Sequence, residues 1–362
     1  MPATADFKFT ASIDDSLSGS SCWSAPSNIA LVKYWGKKEN QIPANPSISF
    51  TLNQCKTITG IDFQPKKNTG QFSFDFLFEG QPKESFHPKI ESFFQRIFPY
   101  CPYLSHFHFS IDSQNTFPHS SGIASSASGM AALSVNLIDL ERQLNPSMSE
   151  EYFWQKASFL ARLGSGSACR SLKGQVVVWG EHATIQGSTD LYGVEFPDEI
   201  HSNFNHYQDT ILLVDKGEKQ VSSTVGHDLM HNHPYATRRF EQAHDNLKAM
   251  QNVLTTGDLE QFIQLTENEA LTLHAMMMTS MPYFILMKPN TLEIINKIWS
   301  FRRETKIPVC FTLDAGANVH VLYPENDKAT VLQFIQSELV GYCQKEQYIC
   351  DEIGNGALKI QR

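Results

Sequence analysis

A chain of 362 residues is long for one hydrophobic core and predicts two domains. Hydrophobic residues make up 41% and charged residues 19%, which fits an ordinary soluble globular protein and excludes a disordered one. With 29 Lys and Arg against 38 Asp and Glu the net charge is −9, which argues against a general nucleic-acid or anionic-membrane binder. An acidic protein that binds a polyanionic small molecule must gather its few cations locally, so lysines and arginines beside glycine and serine carry the search.

Residues 1–22 are polar, rich in Ser and Asp, and predict a weakly ordered lead-in. They hold no basic region followed by an apolar one, so a secretory signal is not expected. Next comes Trp23-Ser-Ala-Pro-Ser-Asn-Ile-Ala-Leu-Val-Lys-Tyr-Trp-Gly-Lys-Lys38, in which Lys33, Lys37 and Lys38 cluster around Tyr34, Trp35 and Gly36 after an apolar strand-like run. Solvated surface lysines are the alternative, and Asn28 reads equally well as a turn residue. Strand signals follow at Ile48 to Leu52, Phe72 to Phe76 and His106 to Phe109, where His106 and His108 share one face. A helix is predicted over 87–97.

The run Phe117-Pro-His-Ser-Ser-Gly-Ile-Ala-Ser-Ser-Ala-Ser-Gly-Met130 leads into a helix over 126–143. Its apolar face is marked by Met130, Leu133, Leu137, Leu140 and Leu144. Gly122, Ser125, Ser126 and Ser128 then sit at a helix N-terminus, where unpaired amides and the helix dipole favour an anion. A phosphate site and a plain N-capped, Ser-rich turn both fit. A further helix over 149–163 ends in Gly164-Ser-Gly-Ser-Ala-Cys-Arg170, a second donor-rich loop carrying a guanidinium. Cys169 reads as a buried small residue. A strand at Gln175 to Trp179 closes the first half, and the boundary falls between 186 and 209.

The second half opens on a strand, Thr210 to Val214. His227, His231 and His233 form a tight group without the Glu or Cys pattern of a zinc site, and read as a polar loop or helix start. Two helices follow, one lined by Phe240, Leu247, Met250 and Leu254, the other by Leu259, Phe262, Ile263 and Leu265, with Gly257-Asp258 between them. The apolar stretch Met276 to Met287 is broken by Thr279, Ser280 and Pro282 and falls short of the about eighteen residues a membrane span needs. A helix over 291–304 precedes a hairpin, Val309 to Tyr323, whose turn holds Asp314; a last helix runs from Ala329 to Val340. The seven cysteines are scattered without a CxxC pair, as in a reduced, cytoplasmic protein. The fold class is α+β, divided as lead-in 1–22, an N-terminal domain 23–200 and a C-terminal domain 201–362.

In chain order, Asn28-Ile-Ala-Leu-Val-Lys-Tyr-Trp-Gly-Lys37, Pro118 to Gly129, Gly164-Ser-Gly-Ser-Ala-Cys-Arg-Ser171, Val221-Ser-Ser-Thr224 and Phe311-Thr-Leu-Asp-Ala-Gly316 resemble five signatures of the mevalonate diphosphate decarboxylases. That family lies in the superfamily of galacto-, homoserine, mevalonate and phosphomevalonate kinases. The resemblance implies an N-terminal α+β domain, a ferredoxin-like C-terminal domain, and ATP and substrate in the cleft between them. It also implies an ATP- and Mg²⁺-dependent conversion of mevalonate 5-diphosphate to isopentenyl diphosphate, ADP, phosphate and CO₂, in a cytoplasmic homodimer. By the same resemblance Asp314, Lys33 and Arg170 are catalytic. Tyr34, Trp35, Gly36, Lys37, Ser165, Gly166, Ser167 and Thr224 hold substrate. Pro118, Ser121, Gly122, Ala124, Ser125 and Ser126 hold ATP, with Ser125 and Ser126 the candidates for Mg²⁺.

Departures from the family pattern are His119-Ser120-Ser121 in the phosphate loop, Asn45-Pro46-Ser47, and Ala317 after Asp314-Ala-Gly. A further one is Asp75, which aligns with a substrate-binding arginine. The loss of that cation keeps open a sister enzyme acting on mevalonate 5-phosphate, or a 3-kinase without decarboxylation. A ligand-binding protein without turnover is the alternative from another class.

Overall fold

The computed structural model describes residues 2–67, 70–118, 123–215 and 223–361, with the backbone alone at Ser223 and Thr224. The first sheet is built on two long antiparallel strands, β1 (Gly19–Val32) and β2 (Ser47–Pro65). Their register shifts between Pro26 and Asn28 and again between Ala30 and Val32. Proline has no N–H to give the ladder, so a break at Pro26 follows from the sequence. β3 (Ser73–Phe78), β4 (Gln81–Pro82) and β5 (Phe107–Asn115) extend the sheet, with β3 parallel to β5. β6 (Val176–Trp179) pairs β2 beyond its bend, and β7 (Val194–Glu195) pairs β6.

Three helices pack on this sheet: α1 (His87–Ile97), α2 (Ser125–Leu144) and α3 (Glu150–Gly164). Ser149 caps α3 by accepting the Tyr152 amide at 3.2 Å, and Glu150 and Glu151 complement the dipole in its first turn. The core between helices and sheet is aromatic, with Phe93, Phe94, Phe107, Phe109, Phe153 and Phe159 all buried.

The second half starts with β8 (Gln208–Leu212). The helices α4 (Ser223–Asp228), α5 (Ala236–Thr256), α6 (Leu259–Met278) and α7 (Pro289–Thr305) follow. Gly257 ends α5 in the left-handed conformation (φ 77°), and Asp258 caps α6 through the Gln261 amide. Strands β9 (Cys310–Thr312) and β10 (Val319–Tyr323) form the expected hairpin, and α8 (Lys328–Phe334) leads to β11 (Tyr348–Glu352). The sheet order β11-β8-β10-β9 is antiparallel throughout, and a β-α-β-β-α-β chain in that order is the ferredoxin-like arrangement. The fold is therefore the expected two-part α+β architecture.

Two features depart from the expected division of the chain. Within the lead-in 1–22, Phe7 is 1% exposed and stacks on Phe159 at 4.4 Å, so an aromatic anchor ties this polar segment to the core. After β11 the chain crosses back: β12 (Leu358–Lys359) pairs with β1 in the first sheet. Between the two sheets a shared core joins Ile29, Leu31 and Phe50 to Tyr207, Leu247 and Phe262. No helix among the described residues is long and apolar enough to cross a membrane.

Candidate active site

β1 delivers Lys33 to the seam between the two sheets. Its backbone is gripped on both sides: the amide donates to Glu269 Oε2 (2.8 Å), while Asn45 Nδ2 (2.9 Å) and Arg239 Nη2 (3.2 Å) donate to its carbonyl. Glu269 and Arg239 are themselves a fully buried ion pair from α6 and α5. With its backbone fixed, Lys33 reaches Asp314 in the β9–β10 turn, Nζ to Oδ1 at 3.1 Å. Burial lowers the Lys33 pKa, and the Asp314 charge and hydrogen bond oppose that shift. Asp314 is positioned in turn by His274 of α6, whose Nε2 donates to the Asp314 carbonyl at 3.1 Å. Burial pushes His274 down to about 4, so the ring is neutral.

Arg170 follows α3 in a 3₁₀ turn, 2% exposed. Its Nε and Nη1 donate to Ser49 (2.6 Å) and Ser47 (2.7 Å) of β2, and its guanidinium lies over Trp179 at 5.6 Å. Nη2 has no hydrogen-bond partner among the described residues, so one prong of the fork remains for an anion. Asn28 ties this turn to β1, donating to the Ser167 carbonyl (3.1 Å) and the Ser171 hydroxyl (2.7 Å). Gly166 is required here because a Cβ would stand 2.9 Å from both Trp179 and the Tyr34 hydroxyl.

Tyr34 packs edge-on against Trp179 at 4.6 Å, and its buried hydroxyl has no hydrogen-bond partner among the described residues. Desolvation raises its pKa, so the phenol remains a donor. Trp35, an expected substrate residue, is 4% exposed and packs with Met230, Leu273 and Met277; it serves as an anchor for the segment. Gly36 has φ 102° and donates its amide to His227 Nδ1 at 2.9 Å. Lys37 lies 3.6 Å from Asp228.

Ser125 and Ser126 open α2 without a side-chain cap. While the Ala127 and Ser128 amides bond the Ala124 carbonyl, the Ser125 and Ser126 amides have no partner among the described residues and remain for another acceptor. Ser126 Oγ accepts from Lys89 Nζ of α1 at 2.9 Å, and burial lowers the Lys89 pKa. Ala124 precedes the helix and Pro118 stands before the loop. The pocket alongside is lined by Thr57, Phe76, Phe86, Ile90, Met130 and Leu133, with Lys89 at its polar side. Ser121, Gly122 and His119 lie outside the described residues, as does the Thr224 side chain.

One sequence expectation needs revising, that for Asp75, while Cys169 is buried as expected. Asp75 lies on β3 with its side chain 77% exposed, paired to His108 Nε2 at 3.2 Å, away from the Lys33–Asp314 cluster. An exposed side chain paired to His108 gives no ground for a lost cation at the diphosphate end. Cys169 is buried, its Sγ donates to the Gly166 carbonyl, and its thiol is pushed up to about 12. His227 and His233 bond different backbone groups, Gly36 and Met276. Sequence reasoning missed His227, His274, Glu269, Arg239, Lys89 and the Ser47–Ser49 pair. Only the i, i+2 spacing of the two serines on a strand gave a usable signal.

A family model of the diphosphomevalonate decarboxylase-like N-terminal domain matches residues 25–190, and one of the mevalonate 5-diphosphate decarboxylase C-terminal domain matches 210–359. The diphosphomevalonate decarboxylase of Candida albicans is 31% identical over 327 residues, 86% of each chain. That of Saccharomyces cerevisiae is 31% identical over 331 residues, 86% of this chain and 79% of its own. Among solved structures, mevalonate diphosphate decarboxylase from Staphylococcus aureus superposes with a TM-score of 0.81 at 26% identity, covering 95% of this chain and 99% of that one. A structure of MDDEF in complex with MVAPP, AMPPCP and magnesium gives 0.78 at 27% identity, covering 96% and 100%.

Proposed function

The chain belongs to the diphosphomevalonate decarboxylase family, and on that premise we propose that it is an ATP-dependent carboxy-lyase. Its reaction is mevalonate 5-diphosphate plus ATP giving isopentenyl diphosphate, ADP, phosphate and CO₂. The observation that carries this reading is Lys33 Nζ at 3.1 Å from Asp314 Oδ1, with Arg170 buried alongside.

Asp314 accepts the proton of the substrate's tertiary 3-hydroxyl as its oxygen attacks the γ-phosphorus of ATP. Lys33 keeps that carboxylate ionised and stabilises charge on the reacting oxygens. The free prong of Arg170 holds the substrate carboxylate. When the 3-phosphate leaves with its C–O electron pair, the electrons of the C–CO₂ bond form the new double bond and CO₂ departs. Tyr34, Gly36, Lys37, Ser165, Gly166, Ser167 and Thr224 are assigned to the diphosphate end.

The ATP phosphates are assigned to the uncapped start of α2 and the adenine to the apolar pocket beside Ile90 and Met130. Hydroxyl oxygens suit Mg²⁺, which when bound neutralises charge on the phosphates. Of the two serines Ser125 is the better ligand, because Ser126 already accepts from the Lys89 ammonium. A cytoplasmic homodimer, and a division near residue 200 into nucleotide and ferredoxin-like domains, belong to the same proposal.

Purified protein given ATP with mevalonate, its 5-phosphate or its 5-diphosphate, with ADP and CO₂ followed separately, tests the assignment. Equal release of ADP and CO₂ with the diphosphate alone is expected. ADP without CO₂ would overturn it, and light scattering checks the dimer.

A further inference from the structure

His227 enters none of the steps above, yet its geometry is tightly specified. Its Nδ1 receives the Gly36 N–H at 2.9 Å. An amide nitrogen can only donate, so Nδ1 carries no proton and the ring hydrogen sits on Nε2. The ring lies against Tyr34 (centroids 4.2 Å apart, 34° between planes) and Trp35 (4.6 Å, 40°), which fix its orientation. Gly226 permits that approach, since a Cβ there would stand 2.6 Å from Trp35.

The charged groups around the ring are Lys37 and Arg170, with Asp228 paired to Lys37. Burial and those two cations push its pKa down to about 3, so the ring is neutral at physiological pH. Nε2 has no hydrogen-bond partner among the described residues. A fixed N–H donor beside two cations, with the Tyr34 hydroxyl also unpartnered, is a setting for an anionic oxygen.

We propose that His227 is a specificity-determining residue for the phosphate end of the substrate: Nε2–H donates to a phosphoryl oxygen while Nδ1 holds the Gly36 amide in place. This rests on the assignment of Tyr34 to Lys37 to the diphosphate end. A neutral donor adds a hydrogen bond where a further cation would have to share the charge already met by Lys37.

The test uses His227→Phe, His227→Gln and His227→Asn in the full chain. Phe keeps the ring and removes both nitrogens; the Gln amide NH₂ reaches the Nε2 position; the Asn carbonyl reaches only the Gly36 amide. His227→Phe is expected to raise KM for mevalonate 5-diphosphate about tenfold, with KM for ATP unchanged and kcat within about threefold. His227→Gln should recover most of that loss and His227→Asn little. An unchanged KM in His227→Phe overturns the proposal. So does fuller rescue by Asn than by Gln, which would leave only a structural role; this comparison also decides if the Phe variant does not fold. Should the wild type release no CO₂, inorganic pyrophosphate titrated by calorimetry separates the two readings. Binding about tenfold weaker in His227→Phe keeps the anion site without the decarboxylase, and equal binding overturns it.

Discussion

Asp314 shows how little one residue says until its neighbours are in place. In sequence it is an aspartate in a turn, a common turn former. In the fold it meets the Lys33 ammonium at 3.1 Å, and His274 pins its carbonyl. Asp314→Asn keeps the size and removes the base, so kcat should fall by about 10²–10⁴ while ATP affinity measured by calorimetry stays near wild type. His274 predicts a pH dependence of stability. Its folded pKa, about 4, lies below the 6.5 of the free ring, so the unfolded chain takes up the proton first as pH falls. Stability is therefore lost from about pH 6.5 down to about 4, amounting to about 2–3 kcal/mol between pH 7.5 and 4.5. Urea unfolding across that range should show a slope shallower by that amount in His274→Gln, with the His227 contribution remaining. The serines behind Arg170 were hard to read for another reason: Ser47 and Ser49 are buried polar residues whose partner lies more than a hundred positions away.

At the scale of elements, α5 and α6 were legible because each keeps one face exposed, while α2 and the β9–β10 hairpin, buried almost throughout, were legible from the spacing of their large apolar residues and from turn residues. α2, α3, the α5–α6 pair and the β9–β10 hairpin follow their predicted ranges closely. β1 did not announce itself over its full length because it is buried on both faces from Ser21 onward, which erases the alternation of a half-exposed strand. The site hangs on contacts between elements that no local pattern encodes. Asp351 of β11 is one: its carboxylate accepts the amides of Asn53, Gln54 and Cys55 at 2.7–2.9 Å where β2 bends. Asp351→Ala leaves three amides of one bend without that acceptor and should cost about 2–4 kcal/mol, read from the urea midpoint at unchanged m-value. Gly166→Ala acts between elements as well. The added Cβ displaces Tyr34 or Trp179, so KM for the phosphorylated substrate should rise and stability should fall by about 1–3 kcal/mol.

The whole molecule is two sheets sharing a core, with the Lys33–Asp314 pair at the seam where β1 and the β9–β10 turn meet. Composition anticipated two parts, but not that the second would return to complete the first. The return runs through Gly354, where a Cβ would lie 2.3 Å from the Leu52 carbonyl oxygen, so backbone packs on backbone there. Gly354→Ala should pry the crossing segment off β2, costing about 2 kcal/mol and exposing residues 353–360 to protease before the rest of the chain.

The pairing of β12 with β1 also sets a timetable. Ser24 bonds the Leu358 carbonyl, 334 positions further along the chain. At about 5–20 residues per second a ribosome needs roughly 20–70 s to bring the second partner out after the first. Throughout that interval the outer edge of β1, at Trp23 and Ser24, is an open strand edge in a crowded cell. The nascent protein can build most of its first sheet early, but that edge is sealed only after Leu358 and Lys359 have been made.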